Sequence, residues 1–147
     1  MEYYIINGPN LNFLGIREPQ IYGTQTLQTL EKQLNLWAKM RNVNITYFQS
    51  NSEGEIIDCL QGCYNDKVDG IVINAGAYTH YSYAIRDAIE SINIPTIEVH
   101  LSNIHNREEF RQNSVIAPVC IGSICGLGIQ GYELALSFLL RQPEQKD

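Results

Sequence analysis

The chain has 147 residues, of which 44% are apolar and 18% are charged, and its formal net charge is −6 at pH 7. This apolar content excludes disorder for the bulk of the chain, and the acidic balance makes nucleic acids and anionic membranes poor partners. Because no apolar run approaches the roughly 18 residues of a membrane span and no secretory signal pattern is visible, the sequence predicts a soluble, cytoplasmic protein.

The length is close to the usual size of one domain, so we expect a single domain over residues 1–147 with a loose polar tail at 142–147. Strands are predicted at residues 3–6, 43–49, 71–73, 95–99 and 119–124. Helices are predicted at residues 26–41, around 56–63, around 84–92 and at 130–141.

The five predicted strands alternate with helices along the chain. This alternation favours parallel βαβ units with right-handed crossovers, and continuous apolar strands are typical of a sheet buried on both faces. Size and strand count fit an α/β, flavodoxin-like three-layer sandwich as readily as any arrangement. The order 2-1-3-4-5 of its five-stranded parallel sheet, with helices on both faces, is inferred from how frequent that fold is.

Polar residues follow each predicted strand. The segments are Asn7–Asn10, Asn51–Glu53, Asn74–His80, His100–Asn103 and Cys125–Gly126. Because ligands of open α/β sheets bind beyond the carboxyl ends of the strands, we expect these side chains to converge on one rim. His80 and His100 would reach that rim from adjacent turns of the fold.

The long loop after the first strand carries two further candidates, Arg17 and Tyr22. A loop of about 16 residues in so compact a domain is either functional or disordered. Pro19 and Gly23 punctuate this loop, and we interpret it as a functional lid.

Several common sites lack their sequence signatures. There is no G-x-G-x-x-G after the first strand, no G-x-x-x-x-G-K-[ST] and no G-x-S-x-G, and Gly122, Gly126 and Gly128 are interpreted as turn and packing residues. A metal site formed by His80, His100 and a carboxylate stays open, although its spacing matches no known motif. The cysteines at positions 59, 63, 120 and 125 match no zinc or C-x-x-C pattern and are expected to be buried thiols.

Seven segments, in order along the chain, carry a resemblance to one enzyme family. They are Gly8–Asn12, Arg17–Gly23, Gln49–Gly54, Asn74–His80, Glu98–Ile104, Arg107–Arg111 and Ile124–Gly128. In these segments, and in register from residue 3 to about residue 140, the chain resembles type II 3-dehydroquinate dehydratase. It departs from the family pattern at Ala75, where proline is expected, and at Tyr81 and Tyr83, where smaller residues are more usual.

The resemblance implies the flavodoxin-like fold and a hydro-lyase that dehydrates 3-dehydroquinate to 3-dehydroshikimate in the shikimate pathway. The reaction would pass through an enolate, with no Schiff base, no metal and no organic cofactor. The resemblance also implies trimers assembled into a homododecamer, with Asp87 reaching the adjacent subunit's site. Helical geometry places Asp87 about 150° from the apolar face of its predicted helix, so it would point away from its own core.

The family pattern also implies which residues transfer protons. Tyr22 would be the base that removes a proton from C2 of the substrate, Arg17 would lie beside it, and Asn10 would hold a water that stabilises the enolate. His100, oriented by Glu98, would protonate the departing C1 hydroxyl. A free tyrosine has a pKa of ~10, so a tyrosine base at neutral pH needs the positive charge that Arg17 offers.

Substrate binding is implied for a second set of residues. Asn74, His80 and Arg111 would bind the substrate hydroxyls. The main chain at Leu101 and Ser102 would hold the substrate carboxylate.

A binding module of the flavodoxin type, with FMN or a nucleotide at the same rim, is the alternative function. Such a site needs a phosphate-gripping loop rich in Ser and Thr after the first strand. This chain has Asn7–Asn10 there, and Pro9 removes one backbone donor.

Overall fold

The computed structural model of the protein describes residues 1–16, 20 and 24–142. Two of the predicted site residues, Arg17 and Tyr22, lie outside the described residues, together with the part of the predicted lid around them. Residues 143–147 of the predicted tail lie outside them as well.

Five parallel strands form one sheet. They are β1 (Glu2–Asn7), β2 (Asn44–Gln49), β3 (Gly70–Asn74), β4 (Thr96–His100) and β5 (Gly122–Cys125). Their order is β2-β1-β3-β4-β5, and all four neighbouring pairs are parallel, which confirms the predicted fold class and strand order.

Among the described residues, four α-helices connect or follow the strands. They are α1 (Leu27–Arg41), α2 (Glu53–Asn65), α3 (Tyr83–Ile92) and α4 (Gln130–Leu140). The first three begin where a hydroxyl of Thr26, Ser52 or Ser82 accepts a hydrogen bond from the amide three residues later, as N-caps do. In the described part of the chain, none of the helices combines the length and apolar character needed to cross a bilayer.

The two faces of the sheet carry separate apolar clusters. One cluster joins α1 and α4 to the sheet, through residues such as Leu30, Leu34, Val72, Val99 and Leu136. The other joins α2 and α3 to the opposite face, through residues such as Ile6, Ile56, Leu60, Ile73 and Ile89. Every residue of β3 and β4 is buried, as central strands covered on both faces must be.

The fifth strand differs from its prediction. It was expected at 119–124, but it runs over Gly122–Cys125, and Ala117–Val119 forms a short 3-10 turn. Pro118 has no amide hydrogen for a strand ladder, and its fixed φ suits the start of such a turn. β5 lies at the edge of the sheet, and two of its four residues are exposed. Burial of apolar side chains therefore does not favour a longer strand here.

The cysteines are all free, but burial was predicted correctly only for Cys63. Cys59, Cys120 and Cys125 are half-buried. Cys120 lies just before the edge strand β5, and Cys125 is the last residue of that strand. The outer edge of β5 has no neighbouring strand to cover these side chains.

Candidate active site

A cavity of about 150 Å³ opens beyond the carboxyl ends of β1, β3 and β4. Seven of the predicted site residues line it: Asn10, Asn74, His80, His100, Leu101, Ser102 and Arg111. The parallel strands end at the same edge of the sheet, which is why residues far apart in sequence meet there.

Close contact with the segment after β3 shapes the loop after β1. The Gly8 amide donates to the carbonyl of Asn74 (2.7 Å), and a Cβ at Gly8 would lie 2.5 Å from the carbonyl oxygen of Ala75. Asn10 adopts φ 68°, a left-handed conformation that asparagine tolerates, and its amide donates to Asn51 Oδ1 at 3.0 Å. These contacts hold Asn10 at the cavity wall.

Asn74 reaches the cavity from a buried hydrogen-bond network. Its Nδ2 donates to the Tyr132 hydroxyl (3.0 Å), and that hydroxyl donates to Asn7 Oδ1 (2.6 Å). Its Oδ1 accepts from the Gly76 amide at 3.2 Å. Burial raises the pKa of Tyr132 far above its usual value, so its hydroxyl remains a proton donor. The orientation of the Asn74 amide is therefore fixed.

Glu98 and His100 lie on the same face of β4, because alternate residues of a strand do so. Glu98 is fully buried, and its Oε1 accepts hydrogen bonds from His100 Nε2 and from Ser114 Oγ, the latter at 2.8 Å. An ionised carboxylate only accepts, so Nε2 of His100 carries a hydrogen and Nδ1 is the ring nitrogen left for a substrate.

His80 has a different partner. Its Nδ1 donates to the carbonyl of Asn113 (2.8 Å), which leaves Nε2 as an acceptor. Burial above all, with the charges of His100 and Arg111, lowers the pKa of His80 below its usual value, although the Asn113 carbonyl and Glu98 oppose this shift. The rings of His80 and His100 are stacked, with centroids 6.4 Å apart and planes at 19°.

Two arginines give the cavity positive charge. Arg111 pairs with Glu108, with 2.9 Å between Nε and Oε2, and its guanidinium lies 4.8 Å from the centre of the Phe110 ring. Arg107 also lines the cavity and donates from Nη1 to Ser102 Oγ at 3.3 Å. Arg107 was not predicted from the sequence to line the cavity, although its place four residues before Arg111 could have revealed it.

The turn after β4 is fastened by the segment after β5. The Gly126 amide donates to the carbonyl of His100 (3.2 Å), and the Gly128 amide donates to the carbonyl of Leu101 (3.1 Å). Both glycines have positive φ, 85° and 60°, as a tight turn requires. These bonds fix the turn in which Leu101 and Ser102 line the cavity.

Of the other predicted participants, Asp87 does not line the cavity. Asp87 is exposed on α3, away from the core of its own subunit, and Arg17 and Tyr22 lie outside the described residues. Glu53, another carboxylate predicted at the rim, accepts a hydrogen bond from Ser82 Oγ at 2.6 Å and does not line the cavity. Within residues 1–16, 20 and 24–142, no three His, Cys, Asp or Glu side chains form a group that could hold a metal ion.

Comparison with known proteins gives one consistent family. A family model described as "Dehydroquinase class II" matches residues 1–140. The chain is 59% identical over 140 residues to the 3-dehydroquinate dehydratase of Lachnoclostridium phytofermentans, covering 95% of this chain and 97% of that relative. The chain is also 59% identical over 139 residues to the 3-dehydroquinate dehydratase of Clostridium acetobutylicum, covering 95% of this chain and 96% of that relative.

A solved structure agrees with these relatives. The crystal structure of type II dehydroquinase from Butyrivibrio crossotus matches this chain with a TM-score of 0.94 at 54% sequence identity. The match covers 95% of this chain and 97% of that chain.

Proposed function

The chain belongs to the class II dehydroquinase family, and we propose that it dehydrates 3-dehydroquinate to 3-dehydroshikimate in the shikimate pathway. The observation that carries this proposal is the pair of histidines in one cavity, one paired with a buried carboxylate and the other bonded to a carbonyl. The first is suited to deliver a proton, and the second is suited to accept a hydrogen bond from a substrate hydroxyl.

The proposed reaction passes through an enolate. Tyr22, as its anion beside Arg17, takes the proton from C2. The electron pair of the C2–H bond forms the C2–C3 double bond of the enolate, and the π electrons of the C3 carbonyl move onto its oxygen. When the carbonyl re-forms, C1 and C2 become doubly bonded and the C1–oxygen bond breaks. His100, oriented by the hydrogen bond from its Nε2 to Glu98, gives a proton from Nδ1 to the departing hydroxyl, which leaves as water. Asn10 holds the water that donates to the enolate oxygen.

Substrate recognition is assigned to the remaining cavity residues. Asn74, His80 and Arg111 bind the substrate hydroxyls, and the main chain at Leu101 and Ser102 holds its carboxylate. The Asn74 amide supports this assignment because its bonds to Tyr132 and Gly76 hold it in one orientation, and His80 supports it because its Nε2 is left as an acceptor.

We propose that the reaction needs no metal, no organic cofactor and no Schiff base. A Schiff base requires a lysine, and the residues that line the cavity in the described part of the chain include none. We also propose one catalytic domain in the cytoplasm, where half-buried thiols such as Cys59 stay reduced.

The subunits are proposed to form trimers and, from these, a homododecamer. Tyr83 and Asp87 are one helical turn apart on α3, so they share a face, and both are exposed. Tyr83 is 68% exposed and the nearby Tyr81 is 58% exposed. Aromatic side chains are enriched at protein interfaces, so the two exposed tyrosines support an interface at this face of the subunit.

The direct test of the activity is incubation of the purified protein with 3-dehydroquinate, with the conjugated enone product followed in the ultraviolet. We expect turnover before and after treatment with EDTA. No product, or activity lost with EDTA and restored by zinc, contradicts the proposal. A yellow protein with a flavin absorbance spectrum would favour the binding module instead.

A further inference from the structure

The buried carboxylate of Glu98 depends on two donors for its orientation. Both donors, His100 Nε2 and Ser114 Oγ, bond to Oε1. The second oxygen, Oε2, is buried and has no hydrogen-bond partner among the described residues. Because Oε1 accepts both hydrogen bonds and Oε2 accepts none, the carboxylate keeps its orientation only while the two donors to Oε1 remain.

Ser114 is itself held from two sides. The Ala117 amide donates to Ser114 Oγ at 3.0 Å, so the hydroxyl hydrogen is directed to Glu98. The next residue, Val115, donates its amide to the carbonyl of Thr79 at 2.8 Å, which ties this segment to the turn that carries His80. The direction of the Ser114 hydroxyl is therefore fixed before any substrate arrives.

We infer that Ser114 is a positioning residue that acts on catalysis through Glu98 and His100. The inference deepens the proposed function and rests on the role given there to His100. Ser114 does not line the cavity, so it does not contact substrate. Without its hydroxyl, the Glu98 carboxylate is free to turn, and the His100 ring loses its fixed direction toward the departing hydroxyl.

The other groups around Glu98 do not replace Ser114. Burial, with the charge of Glu98 as a smaller cause, raises the pKa of Cys120 to about 12, so this neighbour is a neutral thiol, a weak donor. Cys125 has a raised pKa for the same two causes. His80, the remaining titratable neighbour, has its Nδ1 engaged with Asn113. Besides His100, Ser114 is therefore the strong hydrogen-bond donor to the Glu98 carboxylate among the described residues.

The first test compares variants at position 114. We expect Ser114→Ala to lower kcat about ten- to a hundredfold, because a small misplacement of a catalytic group has effects of this size, while KM changes little. Ser114→Thr keeps the hydroxyl and should keep most of kcat. Ser123→Ala is the matched control, since Ser123 lies opposite Glu98 in the β4–β5 register but has its Oγ 3.6 Å from Cys125 Sγ.

The second test repeats Ser114→Ala in a His100→Ala enzyme, assayed at high enzyme concentration. If Ser114 acts through His100, the substitution has no further effect on kcat in that background. An equal loss in both backgrounds, or an unchanged kcat for Ser114→Ala in the otherwise native enzyme, overturns the inference. Should Ser114→Ala not fold, Ser114→Cys keeps the volume but weakens the donor, and the same comparison applies.

The outcome also separates this inference from the proposed function. An impaired His100→Ala enzyme beside a Ser114→Ala enzyme with native kcat overturns the role of Ser114 alone. A His100→Ala enzyme with native kcat overturns both.

Discussion

The hydrogen-bond partners of the two cavity histidines set what each can do. His80 donates to a main-chain carbonyl and has a lowered pKa, so at neutral pH it is an uncharged ring with a free acceptor. His100 donates to a buried carboxylate, which fixes its ring and leaves Nδ1 toward the cavity. Two stacked histidines with different partners give the site one ring with a free acceptor nitrogen and one ring oriented by a carboxylate.

The lowered pKa of His80 predicts a contribution to stability that depends on pH. In the unfolded chain this histidine binds a proton near its ordinary pKa of about 6.5, whereas the folded protein resists protonation to lower pH. The unfolded state therefore binds more protons in that interval, so the contribution is complete above pH ~6.5 and falls as the pH drops toward the folded pKa.

Urea denaturation on both sides of pH ~6.5 measures this dependence. We expect His80→Asn to reduce the loss of stability on acidification. His105→Asn serves as the control, because His105 is exposed and should change the dependence less. Equal pH dependence in the native and His80→Asn proteins would contradict the prediction.

Tyr22 is the residue for which the proposal predicts the largest chemical effect. Tyr22→Phe keeps the ring and deletes the ionisable oxygen, so we expect the variant to fold, to assemble and to bind a substrate analogue. Its turnover should fall at least ~10²-fold, as is usual when a general base is removed. Steady-state kinetics with 3-dehydroquinate measures this loss, and a variant with native turnover would make His80, which lines the cavity, the next candidate.

Arg17→Ala tests how Tyr22 would ionise. A nearby cation favours the tyrosinate, so loss of Arg17 should raise the pKa of Tyr22. The alkaline rise of activity should then move to higher pH in the pH profile of kcat/KM. A profile that falls in amplitude but does not move would assign Arg17 to substrate binding.

The sequence predicted those cavity residues that follow strands or belong to long motifs. Asn74, His80 and His100 were placed correctly at the cavity because the carboxyl ends of parallel strands meet at one edge. Ser114 and Tyr132 were missed because their importance lies in contacts with residues 16 and 58 positions away. In the sequence, a tyrosine on an apolar helix face is indistinguishable from an ordinary core residue.

At the scale of elements, α4 connects the core to the site through Tyr132. Its hydroxyl bridges the last residue of β1, Asn7, and the last residue of β3, Asn74. The two asparagines are also register partners in the sheet. One helix side chain therefore ties the end of β1 to the end of β3, where Asn74 lines the cavity.

Tyr132→Phe removes this bridge without creating a large cavity. We expect the free energy of unfolding to fall by about 1–3 kcal/mol, since Asn7 and Asn74 each lose a buried partner. KM should rise as Asn74 becomes less well oriented. Tyr47→Phe is the matched control, because its hydroxyl bonds to Asn35 Oδ1 (2.9 Å) in an exposed setting.

Urea denaturation of both variants measures the difference. A loss for Tyr132→Phe no larger than that for Tyr47→Phe would show that the buried bridge adds no stability.

The boundaries of the elements were harder to predict than their existence. Apolar periodicity located all four α-helices and the five strands in the described chain, because each buries a stripe or face against the sheet. It misplaced the start of β5, since Val119 and Cys120 are apolar but belong to the turn after Pro118. Local backbone geometry decided that boundary.

At the scale of the whole molecule, the fold alone does not decide the function. A flavodoxin-like sheet is compatible with an FMN or nucleotide site at the same rim. The family match over residues 1–140 and the relatives named 3-dehydroquinate dehydratase decide for the lyase. Asp87 is the predicted binding residue that points away from its own cavity. The proposed assembly explains this position, because Asp87 would reach the site of a neighbouring subunit.

Two singly impaired variants test whether Asp87 serves a neighbouring site. Asp87→Ala should lower kcat/KM about ten- to a hundredfold, the usual effect of losing a hydrogen bond to a charged group. His100→Ala impairs the site of its own subunit. When the two variants are co-expressed, a subunit with Asp87→Ala keeps its His100 and receives a native Asp87 from a His100→Ala neighbour.

Complementation between subunits is therefore the expected result. With random mixing in equal amounts, about a quarter of the sites combine a native His100 with a native Asp87, so activity should rise far above that of either variant alone. Light scattering on the mixture and on the native protein should give the mass of the same oligomer. If Asp87 acted within its own subunit, mixing would only average the two low activities. A fully active monomer would contradict the shared site and the assembly together.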